Sequence, residues 1–160
     1  LGIDYNNPNA NPIANFKEYF ELIHKNLIVR PGQKVHFEPG RAIVGQCGHI
    51  ISRVLYVKVG REQKFVILDA GMNDLIRPAL YQAHHSIENL TSNGKKERYD
   101  VVGPICESSD VFGNSILLNR TQRGDLIAIH SAGAYGQVMG MRYNQRQLAK
   151  AYYSTDEKFN

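Results

Sequence analysis

The chain has 160 residues, 42% of them hydrophobic and 21% charged, a globular mixture long enough to bury a core without disulfides or a metal. No run of about 18 apolar residues is present, which excludes a membrane-spanning helix. Nineteen Lys and Arg against 15 Asp and Glu give a formal charge of +4, spread over scattered clusters at 30–34, 58–64, 95–98, 120–123 and 142–150. Solvated turns account for these clusters, and an electrostatic footprint for nucleic acid is the sharper alternative. Nothing resembling an RNA-recognition signature or a zinc knuckle supports that alternative. Cys47 and Cys106 form no metal-ligand pair, so no metal is expected, and a reducing cytoplasm is the default compartment. The start, Leu1-Gly2-Ile3-Asp4, has neither an initiator Met nor a signal-peptide pattern. Either processing or a piece of a longer chain is expected.

The first dozen residues are turn-rich in Asn and Pro. Phe16, Tyr19, Phe20, Ile23 and Leu27 then recur at helical spacing, with Asn15 as N-cap and Glu18 as its capping-box partner. Pro31-Gly32 is expected to end this helix. Val35-His36-Phe37-Glu38 reads as a short strand broken by Pro39-Gly40, giving the rhythm of an α/β layer. After about Cys47 the rhythm changes. Strands are expected at 49–59 and 65–69 around a Gly60-Arg61-Glu62-Gln63 hairpin, then at 99–102, 115–118 and 125–130. Residues 92–98 read as a polar loop, 133–141 as a short helix and 148–154 as a last strand. Many short strands with polar turns predict a mainly β domain, a sandwich or barrel. The composition shift near residue 45 marks a domain boundary, because one helix and one or two strands before it cannot close a core.

Four segments concentrate chemistry. Glu38-Pro39-Gly40-Arg41 places opposite charges and free backbone N–H groups around one turn, which can hold an anion; a rigid turn with a surface ion pair is the plain alternative. The polar loop starting at Asp69-Ala70-Gly71-Met72-Asn73-Asp74 leads to Arg77-Pro78 and Tyr81. There Arg77 could clamp a carboxylate through its planar fork, or simply begin a one-turn helix after a capped turn. Gly103-Pro104-Ile105-Cys106-Glu107-Ser108-Ser109-Asp110 sets a thiol beside carboxylates. These disfavour the thiolate and suit a proton donor better than a nucleophile; a buried Cys next to an exposed acidic turn fits equally. Gly133-Ala134-Tyr135-Gly136 sets one hydroxyl among small residues that would not hinder a phosphate or a ring, or else holds a core Tyr.

In this order the segments HFEPGR (36–41), DAGMNDLIRPALY (69–81), GPICESSD (103–110) and GAYG (133–136) resemble the diaminopimelate decarboxylases. These are pyridoxal-phosphate lyases of fold type III, with the alanine-racemase-like fold. The resemblance covers nearly the whole chain. It implies a C-terminal β-barrel or sandwich-like domain at 46–160, preceded at 1–45 by the last helix and strand of a (β/α)8 cofactor-binding barrel. The Schiff-base lysine and the barrel's catalytic His would lie upstream, in an open reading frame extended by roughly 220 to 260 residues, as a full barrel of about 250 requires. This chain alone is then expected to be inactive and not to retain the cofactor.

By position, the resemblance implies that Glu38, Gly40, Arg41 and Tyr135 contact the pyridoxal 5'-phosphate. Arg41, Arg77, Tyr81, Glu107 and Tyr135 would bind meso-diaminopimelate, with the arginines on its distal carboxylate and Glu107 on its distal ammonium. Cys106 would be the proton donor, delivered across the interface of a cytoplasmic homodimer. The implied reaction replaces carbon dioxide by a proton and yields L-lysine, a step of lysine biosynthesis. The alternatives are an ornithine- or arginine-type decarboxylase of the same fold and a non-enzymatic anion-binding β-domain. The former show Cys-Asp-Gly where this chain has Cys106-Glu107-Ser108-Ser109.

Overall fold

A computed structural model describes residues 1–156. Asp4 organises the turn-rich start, its Oδ1 accepting from the backbone N–H groups of Asn6 and Asn7, both at 2.9 Å. Helix α1 spans Phe16–Asn26. The Asn15 carboxamide oxygen accepts from the Glu18 N–H at 3.1 Å, and the Glu18 carboxylate closes the box on the Asn15 amide at 2.8 Å. The helix stops at Asn26, ahead of Pro31-Gly32, because Leu27 is already extended. None of its residues is buried. Phe20 meets Phe37 edge-on at 4.9 Å, and the apolar face of α1 with Val35 and Phe37 lines a shallow concavity.

The strand expected at 35–38 does not form. The segment hydrogen-bonds to no neighbouring strand, and a strand exists only through its ladder. After Gly40 comes the four-residue helix α2, Arg41–Val44, followed by a single 3-10 turn, Gly45–Cys47.

Six strands and one short helix follow: β1 Ile50–Val59, β2 Lys64–Leu68, α3 Arg77–Tyr81, β3 Ile87–Asn89, β4 Lys96–Val102, β5 Val111–Asn119 and β6 Leu126–Ile129. They form one sheet in the order β3-β6-β1-β2-β4-β5. Every pairing is antiparallel except that of β2 with β4. The sheet curls until its two outer strands touch, so that a Cβ at Gly113 of β5 would lie 3.8 Å from the Ile87 side chain of β3. The barrel-like closure encloses Val54, Val66, Leu68, Val101, Leu118, Ile127 and Ile129, each 2% exposed or less.

Sequence alternation leaves Val54 or Leu55 to point inward, and a bulge decides it. Val54 pairs with Leu68 while Tyr56 pairs with Ile67, so one extra residue of β1 lies between them. Val54 is buried, Leu55 and Tyr56 both face outward, and Val57 turns back in. The extra residue flips the pleat.

The structure differs from the sequence reading in four further places. β3 was not foreseen, being only three residues long and too short for alternation to register. β4 begins within the expected polar loop, at Lys96, where charges suit its exposed face. Residues 133–141 form consecutive turns and not a helix, and 148–154 form no strand. The glycine-rich first stretch explains the turns, since Gly133 and Gly136 are bent tightly against other backbone, as described below.

Candidate active site

Loop 69–76 is anchored from its first residue. Asp69 Oδ1 accepts from the Ser52 hydroxyl at 2.6 Å and the Arg53 N–H at 2.8 Å, and the same hydroxyl accepts from the Ala70 N–H at 3.0 Å. The Gly71 N–H donates to Asp74 at 2.9 Å, turning the chain toward α3. Pro78 occupies the first turn of α3, where its missing N–H has no cost. Arg77 is thereby set as the first residue of α3, and the residue is 7% exposed.

Arg77 Nη1 donates to the Tyr5 hydroxyl at 2.9 Å and to His85 Nε2 at 3.0 Å. The guanidinium stacks over the Tyr5 ring at 5.1 Å and the Tyr135 ring at 5.6 Å. Arg41 Nη1 donates to the same Tyr5 hydroxyl at 3.3 Å, and its guanidinium lies 5.7 Å from the Tyr135 ring. The Tyr5 hydroxyl, aided by Tyr135, holds the Arg41 guanidinium above its ordinary pKa. Two arginines thus converge on two tyrosines.

No carboxylate of the described residues joins them. The ion pairs among the described residues are Lys17–Glu21 and Lys64–Glu97, and His130 Nε2 lies 3.1 Å from Glu88. Glu38 is exposed and does not pair with Arg41, so the simple surface ion pair around Pro39-Gly40 is not formed. A buried guanidinium without a counter-ion carries an unpaid desolvation cost, which an incoming anion relieves.

His85 is 1% exposed. Its Nδ1 lies 2.9 Å from the His130 carbonyl oxygen, which can only accept, so Nδ1 carries the proton. Nε2 then accepts from Arg77. Burial, with the neighbouring Arg77 charge, depresses its pKa to about 4, against the opposing pull of the carbonyl.

Tyr135 sits beside the arginines because two backbones touch. A Cβ on Gly133 would lie 2.0 Å from the Val44 carbonyl oxygen and 2.8 Å from the Gly48 nitrogen. The Ala132 N–H donates to Gly48 at 2.8 Å and the Gly133 N–H to Gly45 at 3.0 Å. The small residues around Tyr135 therefore bring segment 132–136 against the end of α2. Tyr135 itself adopts φ 72°, a left-handed conformation uncommon for a tyrosine. It is partly exposed and is not a core Tyr.

Gly40 precedes α2 at φ 59°, and a Cβ there would meet the Glu38 carbonyl oxygen at 4.0 Å. The first turn of α2 leaves backbone N–H groups without intrahelical partners. Gly40, Arg41 and Tyr135 together make a cationic rim with backbone donors, a chemistry that fits a phosphate. Tyr81 is one helical turn beyond Arg77 on α3 and is 62% exposed.

Loop 103–110 is a separate constellation. Asp110 is buried and accepts from the Met72 N–H at 2.6 Å and the Ile105 N–H at 2.7 Å. Burial raises its pKa, against the pull of those two N–H donors. A Cβ at Gly103 would collide with this carboxylate at 2.3 Å. The motif's glycine and terminal aspartate thus fasten the loop to the 69–76 segment. Cys106, a free thiol, and Glu107 are left exposed at its tip. No hydrogen bond or ion pair among the described residues joins that tip to the arginines.

Sequence reasoning missed Tyr5 and His85. Tyr5 lies in a turn-rich start and His85 in a loop, where no periodicity marks a residue. The available signal was chemical: an arginine destined for burial requires acceptors.

The sequence profile of the family described as "Pyridoxal-dependent decarboxylase, C-terminal sheet domain" matches residues 10–133. The chain belongs to this pyridoxal-dependent decarboxylase family. It is 62% identical over 156 residues to a diaminopimelate decarboxylase of Bacteroides thetaiotaomicron, covering 98% of this chain and 40% of the relative. The structure of diaminopimelate decarboxylase from M. jannaschii in co-complex with L-lysine is 39% identical, with TM-score 0.72 over 82% of this chain and 30% of that one. The Helicobacter pylori enzyme complexed with L-lysine is 49% identical, with TM-score 0.65 over 69% and 27%. The chain therefore spans about two-fifths of the length of its Bacteroides relative.

Proposed function

We propose that the full-length protein containing this chain decarboxylates meso-2,6-diaminopimelate to L-lysine and carbon dioxide. The observation that carries this reading is the buried Arg77, set beside Arg41 and held, among the described residues, by neutral groups. A substrate with a second amino-acid end carries a carboxylate far from the reacting carbon, and this pair is its complement. An ornithine- or arginine-like substrate has no such group and would leave the buried charge unmatched. The chain's similarity to diaminopimelate decarboxylases supports the same choice.

Pyridoxal 5'-phosphate, when bound, supplies the electron sink for breaking the carbon–carboxylate bond. From this chain, the turn at Glu38, Gly40 and Arg41, with the Tyr135 hydroxyl, would hold its phosphate. Arg41 and Arg77, with Tyr81 and Tyr135, would fix the distal carboxylate and so orient the reacting end. Glu107 would take the distal ammonium, whose charge matches an exposed carboxylate. The Cys106 thiol would give its proton to the substrate carbon that loses carbon dioxide. The exposed loop tip carrying both residues suits delivery into the site of a second subunit in a homodimer. Residues 1–45 would complete a cofactor-binding barrel, and 46–160 would form the β-domain. The family profile begins at residue 10, so it spans this proposed boundary. No helix among the described residues is long and apolar enough to cross a membrane, and we place the enzyme in the cytoplasm.

The test is Arg77→Ala in the full-length enzyme. Losing charge-assisted hydrogen bonds to a carboxylate raises KM for meso-diaminopimelate by roughly 10- to 100-fold. Unchanged KM and kcat would remove Arg77 from the site.

A further inference from the structure

We propose that Tyr5 and His85 are positioning residues that hold the Arg77 guanidinium through neutral acceptors alone, leaving its full charge for a ligand carboxylate. The inference rests on the reading of Arg77 as a carboxylate clamp and adds what aims and preserves it. Both protein contacts are made to one nitrogen, Nη1. Nε and Nη2 make no hydrogen bond among the described residues, and together they can bind a carboxylate with two parallel bonds.

The identity of the acceptors matters. An Asp or Glu at position 85 would hold Arg77 as firmly but would neutralise it and compete with the ligand. An imidazole accepts at Nε2 only when its proton is on Nδ1, and the His130 carbonyl fixes that tautomer at 2.9 Å. The Tyr5 ring meets the His85 ring edge-on at 5.1 Å, locking the two acceptors against each other. Tyr5 also reaches Arg41, so one hydroxyl sets the relative placement of both cations. Tyr135 closes the other flank with its ring 5.6 Å from the Arg77 guanidinium.

The experiment measures binding of two probes to the full-length holoenzyme. L-lysine keeps a carboxylate beside one amine, whereas cadaverine has the same carbon chain and two amines without it. Tyr5→Phe and His85→Asn each remove one acceptor from Nη1. Each is expected to weaken L-lysine about tenfold, the scale of one hydrogen bond to a charged group, and to leave cadaverine within about twofold. His85→Gln places an amide oxygen near the position of Nε2 and is expected to keep L-lysine within about threefold of wild type, against the tenfold of a lost bond. A merely structural role would weaken both probes alike, and that result, or unchanged L-lysine binding in both Tyr5→Phe and His85→Asn, overturns the proposal. If His85→Asn does not fold, Tyr5→Phe decides by the same criterion. Arg77→Ala is the reference. If it spares L-lysine, the clamp itself is refuted; if it weakens L-lysine while the Tyr5 and His85 variants do not, only the positioning role fails.

Discussion

Arg77 shows how one side chain can be buried and still keep its charge uncompensated. Its charge is surrounded by two aromatic rings, a hydroxyl and a neutral imidazole, which satisfy hydrogen bonds without cancelling charge. His85 makes this arrangement pH-dependent. Its pKa falls from an ordinary 6.5 to about 4 on folding, so between those values the unfolded chain binds a proton that the folded chain refuses. The associated stability is complete above about pH 6.5 and declines as pH falls toward 4. His49, lowered by burial and by His130, acts in the same direction. Thermal melting of wild type and His85→Gln across pH 4–7 separates the two: the Gln variant should lose less Tm on acidification. Parallel curves would contradict the neutral, buried state of His85. Arg41, Arg77 and Tyr135 were legible in the sequence because each lies in a short motif with Gly or Pro beside it. Their acceptors were not, because Tyr5 and His85 are distant in sequence and meet Arg77 only through tertiary packing.

At the scale of elements, the motif glycines act by permitting contact between backbones. In GAYG the sequence suggested open room for a phosphate or ring around Tyr135. The structure instead packs Gly133 against Val44 and Gly48, so its missing side chain is what draws Tyr135 to Arg41. Gly133→Ala is expected to destabilise the protein by about 3 kcal/mol, since backbone on both sides must move. It should also weaken substrate binding by displacing Tyr135. A variant with wild-type Tm and KM would contradict this close packing. Strand β5 begins at Val111, four residues before its expected start, whereas the hairpin strands β1 and β2 were legible from alternating apolar residues and turn chemistry. The bulge in β1 was not, because Val54 and Leu55 are equally apolar and only pairing with β2 distinguishes them. The segment 35–38 has strand composition but no partner strand, so composition alone misled.

For the whole molecule, the chain presents apolar surface that its own fold leaves exposed. Ile51, Tyr56 and Val59 on β1 are each more than half exposed, and no residue of α1 is buried. Such surface is characteristic of regions covered by other protein, which accords with the proposed barrel and homodimer. The separation of the Cys106 loop from the arginine pair yields a sharper test. Full-length Cys106→Ala should lose turnover more than cofactor binding, and Arg77→Ala should lose substrate binding. If Cys106 serves the partner's site, dissociating and mixing the two variants creates heterodimers with one intact site. Random reassortment then restores about a quarter of wild-type activity, because half the dimers are mixed and each has one good site of two. No recovery would place Cys106 and Arg77 in the same subunit's site.

If the buried Arg77 and the half-buried Arg41 select a substrate bearing a distal carboxylate, the products formed from competing substrates reveal it. The experiment is product analysis of the full-length protein, reconstituted with pyridoxal 5'-phosphate and supplied in parallel with meso-diaminopimelate, L-ornithine and L-arginine. L-lysine and carbon dioxide from meso-diaminopimelate, with no cadaverine, is the expected result. Putrescine or agmatine as the main product, with meso-diaminopimelate untouched, would contradict it.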